Sequence, residues 1–495
     1  MLCLPGCIEK VRDNTIMKIK PLLLAMLFVV SNGMAEGLPD LGESSQSDLS
    51  PAMEQKLGAS IMREIRWQEP SFVNDPEVSA YVNRLGLRLA GGVPGVKQDF
   101  EFFVLKDPTL NAFALPGGFI GVHTGLILAA QSESELAGVL GHEISHVTQH
   151  HIARSLGNQG KSSVIMLASL LVAVLAARSN SQLSQAALAG GSAASMQSQL
   201  NYSRDFEREA DRIGLQTLEG AGFDVRGMEA FFERLQRDSR IYENNAPAYL
   251  RTHPLTTERI ADMENRVQGM PYKQVPDSLE FQLVRAKLRV NQASPLDAAM
   301  DFQTQLTEKK YSSEVAARYG LARAQLALHK LPEAEREVAA LRHLKVATPM
   351  LETLAAELKL AQGDRPGALA LYQQARGRYP ANKALLYGQA QALLEGKKAA
   401  EALALVNNEL ASTPSDTNLI SLQAQASAAL GRRLQQHRSQ ADLYALQGRL
   451  MDAILQLQLA QKAGDGSFYE LSAVDARLRE LKVLEAEEKK EKQKP

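Results

Sequence analysis

From about Ser278 onward the chain repeats itself every 34 residues. Ala322, Ala356 and Ala390 stand 34 apart, as do Ala334, Ala368 and Ala402, and Pro380 and Pro414 keep the same interval. Within each copy the two alanines are 12 apart, and a larger residue follows four positions later: Val338, Tyr372 or Val406. Small residues at two fixed points let paired helices cross closely, and the larger residue fills the space between one copy and the next. An earlier copy is legible at Ala286, Ala298 and Phe302 and a later one at Ala441, Ala453 and Leu457, with a half-repeat slip of phase between Ala424 and Ala441. A unit of this length cannot bury its apolar face alone and must stack on its neighbours. Stacking gives an extended concave surface, suited to holding protein rather than to chemistry, and no motif in this half suggests catalysis.

The period and the alanine pattern resemble tetratricopeptide repeats, which would occupy residues 276–482 ahead of a charged Glu and Lys tail at 483–495, read as a solvated, fraying helix. The rest of the chain must hold any active site. A total of 495 residues with 45% hydrophobic content is enough for two to four domains with large cores. Lys plus Arg of 55 against Asp plus Glu of 56 leaves a net charge of -1, which argues against a nucleic-acid partner.

Export is legible near the start. Met17-Lys18-Ile19-Lys20, the apolar stretch Leu22 to Val30, and Gly33-Met34-Ala35 form the basic region, apolar core and small-residue cleavage site of a signal peptide that begins at Met17 and is cut near Ala35. The sixteen residues before it carry Arg12 and Asp13 and fit poorly ahead of such a signal, so residues 1–35 are read as an N-terminal extension plus signal peptide. Both cysteines, Cys3 and Cys7, lie there, and no apolar run precedes Leu4-Pro5-Gly6-Cys7 to make it a lipoprotein box. A polar linker at 36–50 follows. With no later apolar run of about 20 residues, the exported protein is expected to be soluble or peripheral in the periplasm.

Between residues 51 and 275 helical patterning begins near Glu54. Asp75-Pro76 opens a second helix carrying Val78, Tyr81, Val82, Leu85 and Leu89. Phe100 to Val104 and Phe119 to Val122 read as strands joined by the turn-rich piece Asn111 to Gly118. A strand of this small sheet could pair with a substrate backbone, or the sheet could be purely structural. Then comes His142-Glu143-Ile144-Ser145-His146, inside a helix opened by Ser132 and lined by Leu136, Val139, Leu140, Ile144 and Val147. Histidines four apart project from one helical face and can grip one metal ion, with Glu143 placed to act as general base on a water molecule. Gln149 and Ile152 stand where the three-histidine metzincin pattern needs glycine and histidine, which excludes that subclass and leaves His150 and His151 as ordinary helix-end residues. The better third ligand is in Phe206-Glu207-Arg208-Glu209-Ala210-Asp211. Glu207 can bind the metal, and Asp211, one turn on, can accept a hydrogen bond from a ligand imidazole; Glu209 points away from Asp211 on the wheel and is the weaker choice. The apolar Val164 to Ala177 is too short to span a bilayer; it and the small-residue run Ala187 to Ser195 are either a buried helix or a lid or membrane-contacting element.

Further on, Thr252-His253-Pro254 precedes Thr257-Glu258-Arg259-Ile260. His253 and Arg259 could stabilise an oxyanion, His253 could instead fill the open metal position as a plug, or it could simply cap a helix start.

Asn111-Ala112-Phe113-Ala114, His142-Glu143-x-x-His146 and Glu207-x-x-Ala210-Asp211 together resemble the metallopeptidases that include the CAAX prenyl proteases and the HtpX heat-shock proteases, over roughly residues 50 to 270. That resemblance implies one zinc ion per chain on His142, His146 and Glu207, a gluzincin-like set, with Glu143 as base and a His-Pro and an Arg near the zinc. The membrane spans of those relatives are not found in this sequence. With the repeats added, the chain is similar to the beta-barrel assembly-enhancing proteases of Gram-negative bacteria. By resemblance, its substrates would be unfolded or stalled outer-membrane proteins and its repeats would meet the barrel-insertion machinery, with peripheral membrane contact left open. A chaperone or adaptor with a largely silent zinc site is the alternative. The expected fold is mainly α: an α+β zincin-like metallopeptidase domain with a small sheet, then an all-α tetratricopeptide-repeat solenoid.

Overall fold

The computed structural model describes residues 50–93, 98–156, 204–241 and 248–492. The signal peptide, most of the linker, Val164 to Ala177 and Ala187 to Ser195 lie outside them.

Helix α1 (Pro51–Gln68) starts where the Ser50 side chain accepts the N–H of Met53. Helix α2 (Pro76–Gly91) is capped by Asp75, whose carboxylate accepts the N–H groups of Glu77 and Val78. The expected stripe of Val78, Tyr81, Val82, Leu85 and Leu89 is buried. Three strands follow: β1 (Glu101–Leu105), β2 (Ala112–Leu115) and β3 (Phe119–His123), in the order β1-β3-β2, with β1 parallel and β2 antiparallel to β3. The sequence reading made Asn111 to Gly118 a turn-rich connection; instead Ala112–Leu115 is a paired strand. The reversal is confined to Pro116–Gly118, where Gly117 and Gly118 adopt φ of 80° and 89°, values that favour glycine, so the residues before them are free to extend.

Beyond the sheet lie α3 (Thr124–Ala129) and α4 (Glu133–Thr148), the latter capped by Ser132 accepting the N–H of Glu135. All residues from Glu133 to Val147 are buried, because α4 is packed by α2 and β2, by α6 (Arg204–Gly220) and by α7 (Arg226–Ile241). Glycines set how closely these helices meet. A Cβ on Gly214 of α6 would lie 3.2 Å from the backbone N of His142, and one on Gly138 would lie 2.8 Å from Cα of Met228 on α7. Short helices α5 (His151–Leu156) and α8 (Ala248–Thr252) and the longer α9 (Thr257–Gln268) complete this part.

From Leu279 to Lys492 the structure is helical throughout, in pairs joined by short turns. Ala322, Ala356, Ala390, Ala334, Ala368 and Ala402 are all fully buried, where the repeat predicts close crossings. The half-repeat slip has a physical form: the helix Arg433–Leu446 packs against both Thr417–Ala429 and Leu450–Gln461, closing one pair and opening the next. The last helix, Phe468–Lys492, continues through most of the expected charged tail. Among the described residues no helix is long and apolar enough to cross a membrane. The fold is mainly α: an α+β part with one three-stranded sheet, followed by helices in pairs.

Candidate metal centre

Helix α4 brings His142 and His146 to one face, with their Nε2 atoms 3.0 Å apart. Helix α6 crosses that face and delivers Glu207: its Oε2 is 3.5 Å from His142 Nε2, and its Oε1 is 3.4 Å from His146 Nε2. One turn on, Asp211 Oδ1 lies 3.0 Å from His142 Nδ1, on the far side of that ring. This contact needs the backbones of α4 and α6 close together, which Gly214 permits. From the end of α8, His253 places Nδ1 3.0 Å from Glu207 Oε1 and Nε2 3.6 Å from Glu143 Oε1, and its ring stacks on Tyr249 at 4.7 Å. His142, His146, Glu207 and His253 each offer a donor atom within 4.8 Å of the others, and all four are buried.

Three donors around a tetrahedral zinc at bond lengths near 2.1 Å would be separated by about 3.4 Å. The two Nε2 atoms, 3.0 Å apart, and the two Glu207 oxygens, one 3.5 Å from His142 Nε2 and the other 3.4 Å from His146 Nε2, come within half an ångström of that spacing. Two nitrogens and a carboxylate are also donors a divalent ion of this kind takes. The Glu143 carboxylate is fully buried, with the His253 Nε2 3.6 Å from Oε1 and the Tyr249 hydroxyl as its polar neighbours. A buried carboxylate with so few polar partners is costly unless something polar enters the site, so the residues fit a metal with a water beside it.

Electrostatics separates the carboxylates. Burial raises the Glu143 carboxyl above its ordinary range, with His253 and His142 opposing, a direction that suits a proton acceptor. Burial would also raise Glu207 and Asp211. For Glu207 the neighbouring His253 and His142 outweigh it, and for Asp211 Arg259 and His142 do, so both are held below the usual carboxylate range.

All seven residues singled out from the sequence, His142, Glu143, His146, Glu207, Asp211, His253 and Arg259, meet here. Three readings from the sequence change. Arg259 was a candidate oxyanion donor, but its guanidinium is committed elsewhere: Nε and Nη2 donate to the two Asp211 oxygens at 2.7 Å, and Nη1 donates to the Pro254 carbonyl and lies 2.7 Å from Glu207 Oε2. His253 does not cap the following helix, since Thr256 does. His151, read as an ordinary helix-end residue, is fully buried with Nδ1 2.8 Å from His146 Nδ1. Helical spacing could not reveal this, because α4 ends at Thr148 and His150 takes a left-handed φ of 51°, folding His151 back onto the site. Burial pushes the His151 imidazole down to about 4, against the pull of Glu209. Tyr249, also missed, is buried, stacked on His253 and edge-on to His142; its only signal in the sequence was its place four residues before His253.

Peptidase family M48 matches residues 76–267, and a tetratricopeptide repeat family matches residues 359–426. The beta-barrel assembly-enhancing protease of Escherichia coli (strain K12) is 34% identical over 452 residues, covering 91% of this chain and 92% of its own. The protein of the same name from Yersinia pestis is 32% identical over 450 residues, covering 90% and 92%. Mitochondrial metalloendopeptidase OMA1 of Schizosaccharomyces pombe is 29% identical over 234 residues, 46% of this chain and 64% of that one.

Proposed function

The chain belongs to peptidase family M48, a metallopeptidase with appended tetratricopeptide repeats, and from that premise we propose that it is a periplasmic zinc endopeptidase that degrades misfolded or stalled outer-membrane proteins and assists their assembly. The observation that carries the catalytic part is the buried Glu143 carboxylate beside His142, His146 and Glu207 at near-zinc spacing. Zinc, when bound, supplies the Lewis acidity that activates a water molecule and polarises the scissile carbonyl. His142, His146 and Glu207 would hold it. Glu143 accepts the proton of the attacking water and passes it to the leaving amine. Asp211 accepts the His142 Nδ1 proton and keeps that ring's Nε2 toward the metal, while Arg259 neutralises the two acidic residues on α6.

Substrate would enter along β2. The Asn111 carbonyl accepts the His123 N–H, so in this antiparallel ladder the backbone groups of Ala112 and Ala114 face away from β3. That edge, unpaired among the described residues, can take an extended chain with little regard to its sequence, as an enzyme for unfolded proteins requires. The outer-membrane substrates, the barrel-insertion machinery as partner of the repeats, and the periplasmic location rest on the names of the full-length relatives and on the signal-peptide pattern before Ala35. The deciding test is zinc content and degradation of an unfolded outer-membrane protein by wild type and Glu143→Gln. The reading expects one zinc in both and turnover only in wild type; turnover by the variant would refute it.

A second reading has its own observation. His253 is the fourth member of the donor cluster, so it can occupy the position needed by water and restrain the enzyme, which then serves mainly as a chaperone or adaptor. Faster proteolysis by His253→Ala supports restraint; slower proteolysis supports a direct part in catalysis.

A further inference from the structure

A histidine that ligates a metal through Nε2 carries its proton on Nδ1, and the group receiving that proton fixes both tautomer and ring orientation. For His142 the receiver is Asp211. For His146 the group at this position is another imidazole, with His151 Nδ1 2.8 Å from His146 Nδ1. Two ring nitrogens at that distance share one proton, so one donates and the other is a bare acceptor. Which is which follows from the other end of His151. Its Nε2 lies 3.1 Å from Glu209 Oε2, and a carboxylate can only accept, so the His151 proton sits on Nε2 and its Nδ1 is left bare. His146 must then donate from Nδ1, which leaves its Nε2 free of a proton and turned toward His142 and Glu207.

The outer end is also fixed. Arg154 donates from Nη1 to the same Glu209 oxygen at 2.9 Å, and its guanidinium lies over the Phe206 ring at 4.5 Å. His151 stacks on Phe206 with ring centroids 4.4 Å apart and planes 10° from parallel. The imidazole is thus held in its plane by one neighbour and along its axis by two.

We infer that His151 and Glu209 are positioning residues for the metal centre, forming a relay in which Glu209 sets the tautomer of His151 and His151 sets that of His146. The two histidines of the motif are thereby oriented by different devices: a buried carboxylate for His142, and a histidine backed by a half-buried carboxylate for His146. This rests on the assignment of His146 as a ligand. It gives Glu209, the weaker ligand candidate in the sequence, a place one shell further out.

The test is zinc affinity of the full chain, by competition with a chromophoric chelator, together with the visible absorption of the cobalt-substituted protein. His151→Phe keeps the stacking on Phe206 but removes the acceptor, and should weaken zinc binding about 10- to 100-fold and alter the cobalt spectrum. His151→Asn, whose Oδ1 can stand where Nδ1 stood, should recover most of that loss. Glu209→Leu should weaken binding too, and combining it with His151→Phe should add little, because both act through one path. Wild-type affinity and spectrum in His151→Phe would overturn the inference. If His151→Phe does not fold, additive losses from His151→Asn and Glu209→Leu would do the same. His146→Ala is the reference: its loss of zinc alongside an unaffected His151→Phe refutes the relay alone, whereas zinc retained by His146→Ala refutes the ligand assignment as well.

Discussion

Arg259 is fully buried beside two carboxylates, and its charge makes the site foldable before any metal binds. Asp211 and Glu207 would otherwise be two like charges in a dry cleft, and removing one partner of such a buried set costs about 3–5 kcal/mol. Arg259→Gln should therefore lower the unfolding free energy by that order even with chelator present. Urea unfolding of the metal-free protein measures it, and an unchanged midpoint joined to lost activity would restore the oxyanion-donor reading. His142 with His146, and Glu207 with Asp211, were legible from sequence because each pair sits one helical turn apart, a distance the backbone alone dictates, and Glu143 because it directly follows the first histidine. The partners of Arg259 were not legible, since its reach to Asp211 depends on how α9 docks against α6. His151 was hidden by a single left-handed residue, which no periodicity announces.

At the level of elements, the site exists because α4 and α6 approach at Gly214. A methyl group there would meet the His142 backbone at 3.2 to 3.3 Å, so one helix must yield by a few tenths of an ångström. Alanine is otherwise the better helix former by about 1 kcal/mol. Gly214→Ala should consequently leave the melting temperature of the metal-free protein nearly unchanged while lowering turnover about 10- to 100-fold, since small misplacements of catalytic groups are expensive in rate. Thermal melts in chelator and steady-state kinetics with zinc, run side by side, separate the two effects; parallel losses would mean that the glycine serves packing alone. The helices were readable from caps and apolar spacing, and Asp75 and Ser132 cap where the sequence suggests, while the first helix starts at Pro51, ahead of the patterning near Glu54. Strand β2 was not, because four residues of Ala-Phe-Ala-Leu beside Pro-Gly-Gly carry too little pattern to separate an edge strand from a turn.

Across the whole molecule, the peptidase part and the first repeats share one core. Lys287, on the first repeat helix, is buried between Asp75 and Glu77 of the α2 start, 2.6 Å from each. Burial alone would raise the Asp75 carboxyl, but Lys287 outweighs it and holds the group below its ordinary 3.8. A depressed folded pKa means that the carboxylate stabilises the fold above its unfolded value and that this contribution is lost as pH falls through the folded one. Asp75→Asn keeps the cap on α2 but loses the charge; it should be less stable than wild type by about 1–3 kcal/mol at pH 7, with the gap closing below pH 3.8. Denaturation midpoints across that range would check it. The apolar core is continuous as well: Val78, Tyr81 and Leu85 belong to the same cluster as Phe281, Val284, Leu288, Tyr319 and Leu354, and the Tyr81 and Phe281 rings lie 6.3 Å apart. The composition change near residue 275 marks where the repeats begin, but composition cannot say that the first repeat's apolar stripe faces α2. Removing Phe281 alone would cost about 3–5 kcal/mol, which is a large share of the stability of an ordinary domain. A chain truncated after Val275 should accordingly lose cooperative unfolding and bind a hydrophobic dye, whereas one truncated after Arg378, which keeps the shared core, should melt cooperatively and retain zinc. Equal melting of the two would mean that the repeats are tethered to the enzyme rather than built into it.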